Sequence, residues 1–502
     1  MSRLVVVSNR VPSTSPAKSE AGGLAVALQA ALNETGGLWF GWSGKVVEPP
    51  APAPTVTQCD RFTLATLDLA RPDYEGYYNG FANRTLWPLL HSRLDLTSFD
   101  AAFFQSYQQV NALFAARLTP LLTPDDAVWV HDYHLIPLGE ELRRAGLDNP
   151  LGFYLHIPFP SPEVMMALPW HRELAKALCA YDLIGFQTRR DLQNFRDFMQ
   201  REMHGAIDGD GNLQVFGRTL VANAFPIGID ADKFAAMAGN AEPQEPRPSE
   251  HARRHRQIIG VDRLDYTKGL VERFRAFEAL IETHPEYHGR VCLTQVAAPS
   301  REHVPEYLGI RAELEKIAGG INGRFAELDW TPIHYINRSF GQKQLTGLYR
   351  NSEIGLVTPL RDGMNLVAKE YVASQDPENP GVLVLSQFAG AAEQLLGALI
   401  VNPYDIQSVA KVLHSALAMP VAERRARWRP MMASLCREDI GHWRDSFLRA
   451  LFAARQPRRI YHLVPERRAV GLSDIARPDM ARPDIGQSDN RVGVISELRK
   501  AR

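Results

Sequence analysis

Short apolar runs rich in β-branched residues recur along the chain, each closing on polar or Gly/Pro residues and followed by a helical pattern. They fall at 4–7, 127–130, 151–155, 183–186, 257–261, 291–295, 354–357, 382–385 and 398–401. Runs that are apolar throughout, rather than alternating, suit strands buried on both faces, which is the situation of a parallel sheet with helices on each side. The pattern predicts an α/β fold. So many strands overfill one sheet, and 502 residues exceed the size at which a single core keeps growing. Two domains are therefore expected. Between 240 and 255 the sequence lapses into Ala, Glu, Pro and Arg, which predicts a linker between a doubly wound domain over 1–235 and a second over 256–440. Trp443, Phe447, Leu448, Leu451 and Phe452 at helical spacing predict a closing helix over 440–456. The imperfect repeat at 476–479 and 481–484, with few core residues around it, predicts a disordered tail over 466–502.

Ligands of open α/β sheets bind beyond the carboxyl ends of the strands, where helix N-termini and loop amides converge. Asn9 and Arg10 follow the first run, His131, Asp132 and His134 the second, and His156 the third. In the other half, Asp262, Arg263 and Lys268 follow 257–261, Arg301 stands beyond 291–295, and Arg361, Asp362 and Gly363 follow 354–357. Strand ends turn polar in any protein, but the same mixture at one edge of both sheets goes beyond that. Guanidinium groups grip phosphate bidentately and carboxylates accept from sugar hydroxyls, so a phosphorylated sugar and a nucleotide both fit.

The segment 362–371, DGMNLVAKEY, is the most informative. Gly363 permits a tight strand-to-helix turn, and the following residues open a helix whose first N–H groups face the sheet edge, an anion seat suited to a pyrophosphate. Glu370 falls in the first turns of that helix, where a carboxylate can accept from a ribose; by itself it reads more readily as a solvated helix residue. There is no Walker loop and no GxGxxG after a strand, and the pair Gly22-Gly23 alone is more often a turn than a phosphate cradle. His131-x-x-His134 lacks the further clustered ligands of a metal site and reads as hydrogen-bonding histidine.

Composition narrows the setting. With 45% hydrophobic and 23% charged residues the chain belongs with globular proteins, and a net charge of −1 supplies no field for nucleic acid or anionic lipid. No apolar stretch reaches spanning length, and the N-terminal run is too short for a signal-peptide core. Cys59, Cys179, Cys292 and Cys436 lack CxxC spacing, against a disulfide framework or zinc ribbon. A cytoplasmic enzyme is expected, with neither a nucleic-acid nor a membrane partner.

On these residues the sequence resembles the trehalose-6-phosphate synthases, retaining glycosyltransferases of the GT-B fold. The stretches that carry the likeness are LVVVSNR at 4–10, GGLWFGWSG at 36–44, WVHDYH at 129–134, HIPFPS at 156–161, GVDRLDYTKG at 260–269 and the 362–371 segment. The resemblance implies two Rossmann-like domains facing each other across a cleft. It implies transfer of glucose from UDP-glucose, or another nucleoside diphosphate glucose, to glucose-6-phosphate with retention, giving α,α-trehalose-6-phosphate. It assigns Arg10, Tyr78, Trp87, Asp132, His134 and Arg301 to the acceptor, with Arg10 and Arg301 on its phosphate. Arg263 and Lys268 are assigned to the donor pyrophosphate, with the amides of Gly22, Gly23, Leu366 and Val367; Ala368 and Lys369 belong to the same donor-binding segment. Asp362 and His156 are assigned to the transferred glucose, Glu370 to the ribose, and Phe340 to a place against or near the uracil. The reacting bond would then lie among Arg263, Lys268, Asp362 and His156. No metal or other cofactor is expected, because side-chain cations and helix amides already serve the pyrophosphate. The donor base and a homo-oligomeric state stay open. Rival readings are a related transferase with another phosphorylated acceptor, a catalytically silent sugar-phosphate sensor, and a glycogen-type polymerising transferase, in which Arg10 and Arg301 would be idle. The likeness is poor at 45–70 and 240–255 and ends before 466.

Overall fold

The computed structural model describes residues 3–12, 23–240, 255–301 and 305–454. Strands β1 (Leu4–Arg10), β2 (Gly37–Val46), β3 (Thr55–Gln58), β4 (Phe62–Leu69), β5 (Ala127–His131), β6 (Leu151–Tyr154), β7 (Leu183–Phe186), β8 (Ala206–Ile207), β9 (Leu213–Val215) and β10 (Arg218–Ala224) form a ten-stranded sheet in the order β3-β4-β2-β1-β5-β6-β7-β10-β9-β8. From β4 across to β10 every pairing is parallel, and β3 and the β8–β9 pair add antiparallel edges. Strands β11 (Arg256–Arg263), β12 (Val291–Ala298), β13 (Ile333–Ile336), β14 (Ile354–Val357), β15 (Val382–Ser386) and β16 (Leu399–Val401) form a second, six-stranded, wholly parallel sheet in the order β13-β12-β11-β14-β15-β16.

Both sheets are wound outward from a central strand in one direction and then in the other, as a doubly wound α/β fold requires. The order reverses between β1 and β5 in the first and between β11 and β14 in the second. Crevices open at such reversals because the connecting helices leave to opposite faces. The predicted runs all fall on strands, and their unbroken apolar character follows from burial on both faces: Val5, Val6, Val7, Val128 and Val130 are wholly buried, as are Ile258 and Ile354.

The first sheet carries more than the apolar runs revealed. Strand β2 is built from glycine and aromatic residues, and β4 alternates in burial. Between β4 and β5, a thirteen-residue π-type helix, Tyr74–Leu86, runs directly into the short helix Trp87–Leu90 and presents Tyr78 and Trp87 to one cavity. The last described helix, Ile440–Ala453, returns to the first sheet. Its Phe447 ring stacks on Trp129 at 4.5 Å, and a Cβ on Gly152 or Gly185 would come within 2.8 Å of that ring. Glycine at those positions of β6 and β7 makes room for the helix. The predicted tail and all but the ends of the 240–255 linker lie outside the described residues.

Candidate active site

A cavity of about 590 Å³ lies where the carboxyl ends of β1, β5, β6 and β7 face those of β11 and β14. Backbone strain gathers there. Among non-glycine residues with positive φ, Asp132, Arg301 and Asn365 all line it. Asp132 sits at φ 76°, ψ 164°, a conformation that costs about 1–3 kcal/mol in a residue with a Cβ.

The acceptor residues implied by the resemblance come together on one side. Trp87 lies at their centre, with the Arg301 guanidinium carbon 3.8 Å and that of Arg263 5.5 Å from its ring centroid. Arg301 follows β12 of the second sheet. Its Nη1 donates to Asp265 at 3.1 Å and its Nη2 to the Tyr133 hydroxyl at 3.1 Å, leaving the side chain 7% exposed. Tyr78 stacks on His134 with planes 12° apart. Burial keeps His134 neutral, well below the ordinary histidine range. Asp132 is pushed up to about 6 by burial, against the pull of the Tyr133 and His156 amides and the charges of Arg263 and Arg301. A second cavity, of about 790 Å³, shares Arg10, Tyr78 and Arg301 and adds Arg71 and Arg84, so this side is strongly cationic.

On the donor side Lys268 Nζ donates to Asp362 Oδ2 at 2.5 Å, and Asn365 Nδ2 reaches the same oxygen at 3.1 Å. Burial would raise the Asp362 carboxyl, but Lys268 holds it below the ordinary carboxylate range. The lysine expected on the pyrophosphate is thus already paired with the carboxylate expected on the glucose. Asn365, at φ 75°, caps the helix Leu366–Ala373 by accepting from the Ala368 amide at 3.2 Å. Among the described residues this leaves the Leu366 and Val367 amides free at the helix start, and both residues line the cavity. Glu370 lines it too. Burial lifts its carboxyl to about 7, and Tyr349 donates to it at 3.4 Å.

Other predicted residues are not among those lining the cavity. Ala368 is wholly buried with its amide committed to the cap, and Lys369 is wholly buried with Nζ on the Ile227 carbonyl and on Gln394, so neither side chain lines the cavity. Phe340 packs under the Arg338 guanidinium, 4.6 Å away, and is not among the residues lining the cavity. Gly363 has no positive φ. Glycine is required there because a Cβ would lie 2.2 Å from the His156 carbonyl oxygen, where the second sheet's loop meets the first sheet's. Gly23 is the first residue of the helix Gly23–Thr35, and Gly22 lies outside the described residues.

His131 and His134 do not converge: His131 Nδ1 lies 3.0 Å from His156 Nε2, while His134 stacks on Tyr78. Among the described residues one other group could gather around an ion: His284, Glu286 and His414, none of them lining the cavity. The two imidazoles stack 3.9 Å apart with planes 7° apart; His284 Nδ1 lies 2.9 Å from Glu286 and His414 Nδ1 2.7 Å from the Tyr287 hydroxyl.

The sequence pattern of glycosyltransferase family 20 matches residues 2–453. The chain belongs to that family. A trehalose-6-phosphate synthase of Cronobacter sakazakii is 50% identical over 462 residues, 91% of this chain and 97% of that one. The counterpart from Sinorhizobium fredii is 50% identical, covering 90% and 99%. Among solved structures, a UDP-forming α,α-trehalose-phosphate synthase from Burkholderia xenovorans in complex with glucose-6-phosphate superposes with TM-score 0.87 at 53% identity, covering 90% of this chain and all of that one. An E. coli protein bound with UDP-2-fluoro glucose superposes with TM-score 0.86 at 47% identity, covering 90% and 99%.

For this member of family 20 the cavity also holds residues that strand-end reasoning passed over. Gln187 directly follows β7, and the rule that found His156 after β6 finds it too. Tyr133 and Asn365 sit inside the quoted motifs without having been given a role. Ile227 carried no signal, because it acts through its backbone.

Proposed function

We propose that the chain transfers the glucosyl unit of UDP-glucose to glucose-6-phosphate with retention, releasing UDP and α,α-trehalose-6-phosphate. One observation carries this reading: two groups of cations, Arg10 with Arg301 and Arg263 with Lys268, line a single cavity that also holds a carboxylate for each sugar, Asp132 and Asp362. Such a site takes two phosphorylated partners, one of them a sugar. In this reading residues 1–235 and 256–440 are the two Rossmann-like domains, the first offering most of the acceptor contacts and the second the nucleotide contacts.

The carboxylates of the cavity suggest a front-face reaction. Asp362 is tied to Lys268 and Asp262 to Arg273, Glu370 is assigned to the ribose, and Asp132 lies on the acceptor side, so no carboxylate stands ready as the nucleophile of a double displacement. The acceptor's anomeric oxygen bonds to the donor C1 as the C1–O bond to the β-phosphate breaks. The electron pair leaves on that phosphate, whose oxygen takes the acceptor's proton. Arg263, Lys268 and the Leu366 and Val367 amides stabilise the growing charge.

The side-chain cations make a metal unnecessary in this scheme, so full activity in chelator is expected. No described helix is long and apolar enough to cross a membrane. The four cysteines are free thiols, which supports a reducing cytoplasmic setting. The decisive experiment offers UDP-, GDP- and ADP-glucose, each with and without glucose-6-phosphate, and follows nucleotide release and the sugar product. Release that requires glucose-6-phosphate and yields trehalose-6-phosphate is expected, with UDP-glucose preferred. Donor binding without release on any of these mixtures would overturn the reading in favour of another acceptor or a sensor.

A further inference from the structure

Gln187 and Ile227 line the cavity but are assigned to neither substrate. Gln187 is 2% exposed. Its Oε1 accepts from the Ile227 amide at 3.0 Å and lies 3.0 Å from the Tyr154 hydroxyl. A backbone amide can only donate, so Ile227 fixes which end of the Gln187 carboxamide is oxygen. The other end, Nε2, then directs an N–H at His156 Nδ1, 3.3 Å away. Nδ1 must accept, and the His156 proton resides on Nε2. That nitrogen lies 3.0 Å from His131 Nδ1 and donates to it. Burial holds His156 down to about 3 and His131 well below its ordinary range, so neither ring is cationic.

Ile227 is gripped from the other half of the molecule as well. Lys369 Nζ donates to its carbonyl at 2.6 Å and to Gln394 Oε1 at 2.6 Å, and Gln394 in turn donates to Glu438. Lys369 belongs to the helix whose first two amides face the cavity. One residue, Ile227, therefore connects that helix to the His156 ring through a continuous path of hydrogen bonds.

We propose that Gln187 is a positioning residue for glucosyl transfer. It hangs from Ile227, which Lys369 anchors, and holds His156 as the Nε2–H tautomer donating to His131, so that the ring is fixed in place and orientation beside the transferred glucose. The consequence for transfer rests on the function proposed above; the tautomer rests on the geometry alone.

Gln187→Glu keeps an acceptor for Ile227 but turns an acceptor instead of a donor toward His156, which should move the ring proton to Nδ1. Spectra of protein labelled with ¹⁵N-histidine read the tautomer directly, the His156 signals being identified by their loss in His156→Asn. The wild type should show a protonated Nε2 and a bare Nδ1, and Gln187→Glu the reverse. In the transferase assay Gln187→Glu should lose about 10²-fold in kcat, the scale of a misplaced reacting group, with the acceptor KM unchanged. In the His156→Asn background it should cost nothing further, because its effect passes through the ring. A wild-type His156 protonated at Nδ1 overturns the proposal, as does a Gln187→Glu loss that adds in full to that of His156→Asn. If Gln187→Glu does not fold, the wild-type spectrum decides by itself. A wild type that makes no trehalose-6-phosphate would sink the transferase reading instead, while the spectrum still decides the hold of Gln187 on His156.

Discussion

Arg263 and Arg301 share the ring of Trp87 but are differently committed. Arg301 is bound to Asp265 and Tyr133, whereas Arg263 is exposed and, among the described residues, forms no ion pair. Arg263 is thus free to meet charge that develops only as the donor bond breaks. Arg263→Ala is expected to cost roughly 3–4 kcal/mol of transition-state stabilisation, read as a fall in kcat with the glucose-6-phosphate KM little changed. An unaltered turnover number would refute that role. Glu370 gives a pH signature. Its carboxyl titrates near 7 because burial disfavours the charge, whereas ribose hydroxyls donating to it favour the carboxylate. Donor binding should therefore release a proton and tighten as pH rises through about 7. Lys369 also titrates near 7 but faces Ile227 and Gln394, so Glu370→Gln isolates the effect. Calorimetry in buffers of different ionisation heat should find weaker and pH-independent donor binding in that variant. A pH slope that survives the substitution would place the titrating group elsewhere.

The helix Leu366–Ala373 depends on how it begins. Asn365 holds φ at 75°, caps the Ala368 amide and steadies Asp362. Asn365→Ala should lose the cap, about 1 kcal/mol, and add left-handed strain of similar size. Asn365→Gly loses the cap but tolerates the conformation. Melting temperatures should fall in the order wild type, Gly variant, Ala variant, with donor KM raised in both; equal melting temperatures for the two would dismiss the strain. The same helix shows where sequence legibility ends. Its position after an apolar run, its glycine and its Glu370 were readable. The inward turn of Lys369 was not, because successive helix residues point roughly 100° apart and only packing decides which one faces the ligand. The parallel strands were legible because burial on both faces leaves unbroken apolar runs. Strand β2 was hidden by its glycine-aromatic composition, Tyr78 by a π-type helix that obeys no 3.6-residue period, and Trp87 by the four-residue helix that continues it, too short to show a period. Those two reached the acceptor list through family likeness alone.

Across the whole molecule the two sheets meet through a few specific contacts. Gly363 lies against the His156 carbonyl, Lys369 holds Ile227, and Arg301 of the second sheet lies on Trp87 and Tyr133 of the first half. A division into an acceptor sheet and a donor sheet therefore fits the strand ends but not the acceptor phosphate, whose proposed ligands Arg10 and Arg301 come from opposite halves. A phosphate gripped by both would hold the halves in the arrangement the donor also needs. Glucose-6-phosphate should then tighten UDP binding, with a coupling of about 1–3 kcal/mol, and by reciprocity UDP should tighten glucose-6-phosphate binding equally. Titrating UDP calorimetrically with and without saturating glucose-6-phosphate measures it. Arg301→Ala should abolish most of the coupling while leaving the affinity for UDP alone close to wild type. Free glucose, lacking the phosphate, should produce none. If glucose enhanced UDP binding as strongly as glucose-6-phosphate, the coupling would have to pass through the sugar contacts at Asp132 and His134, and the bridging role of Arg301 would fall.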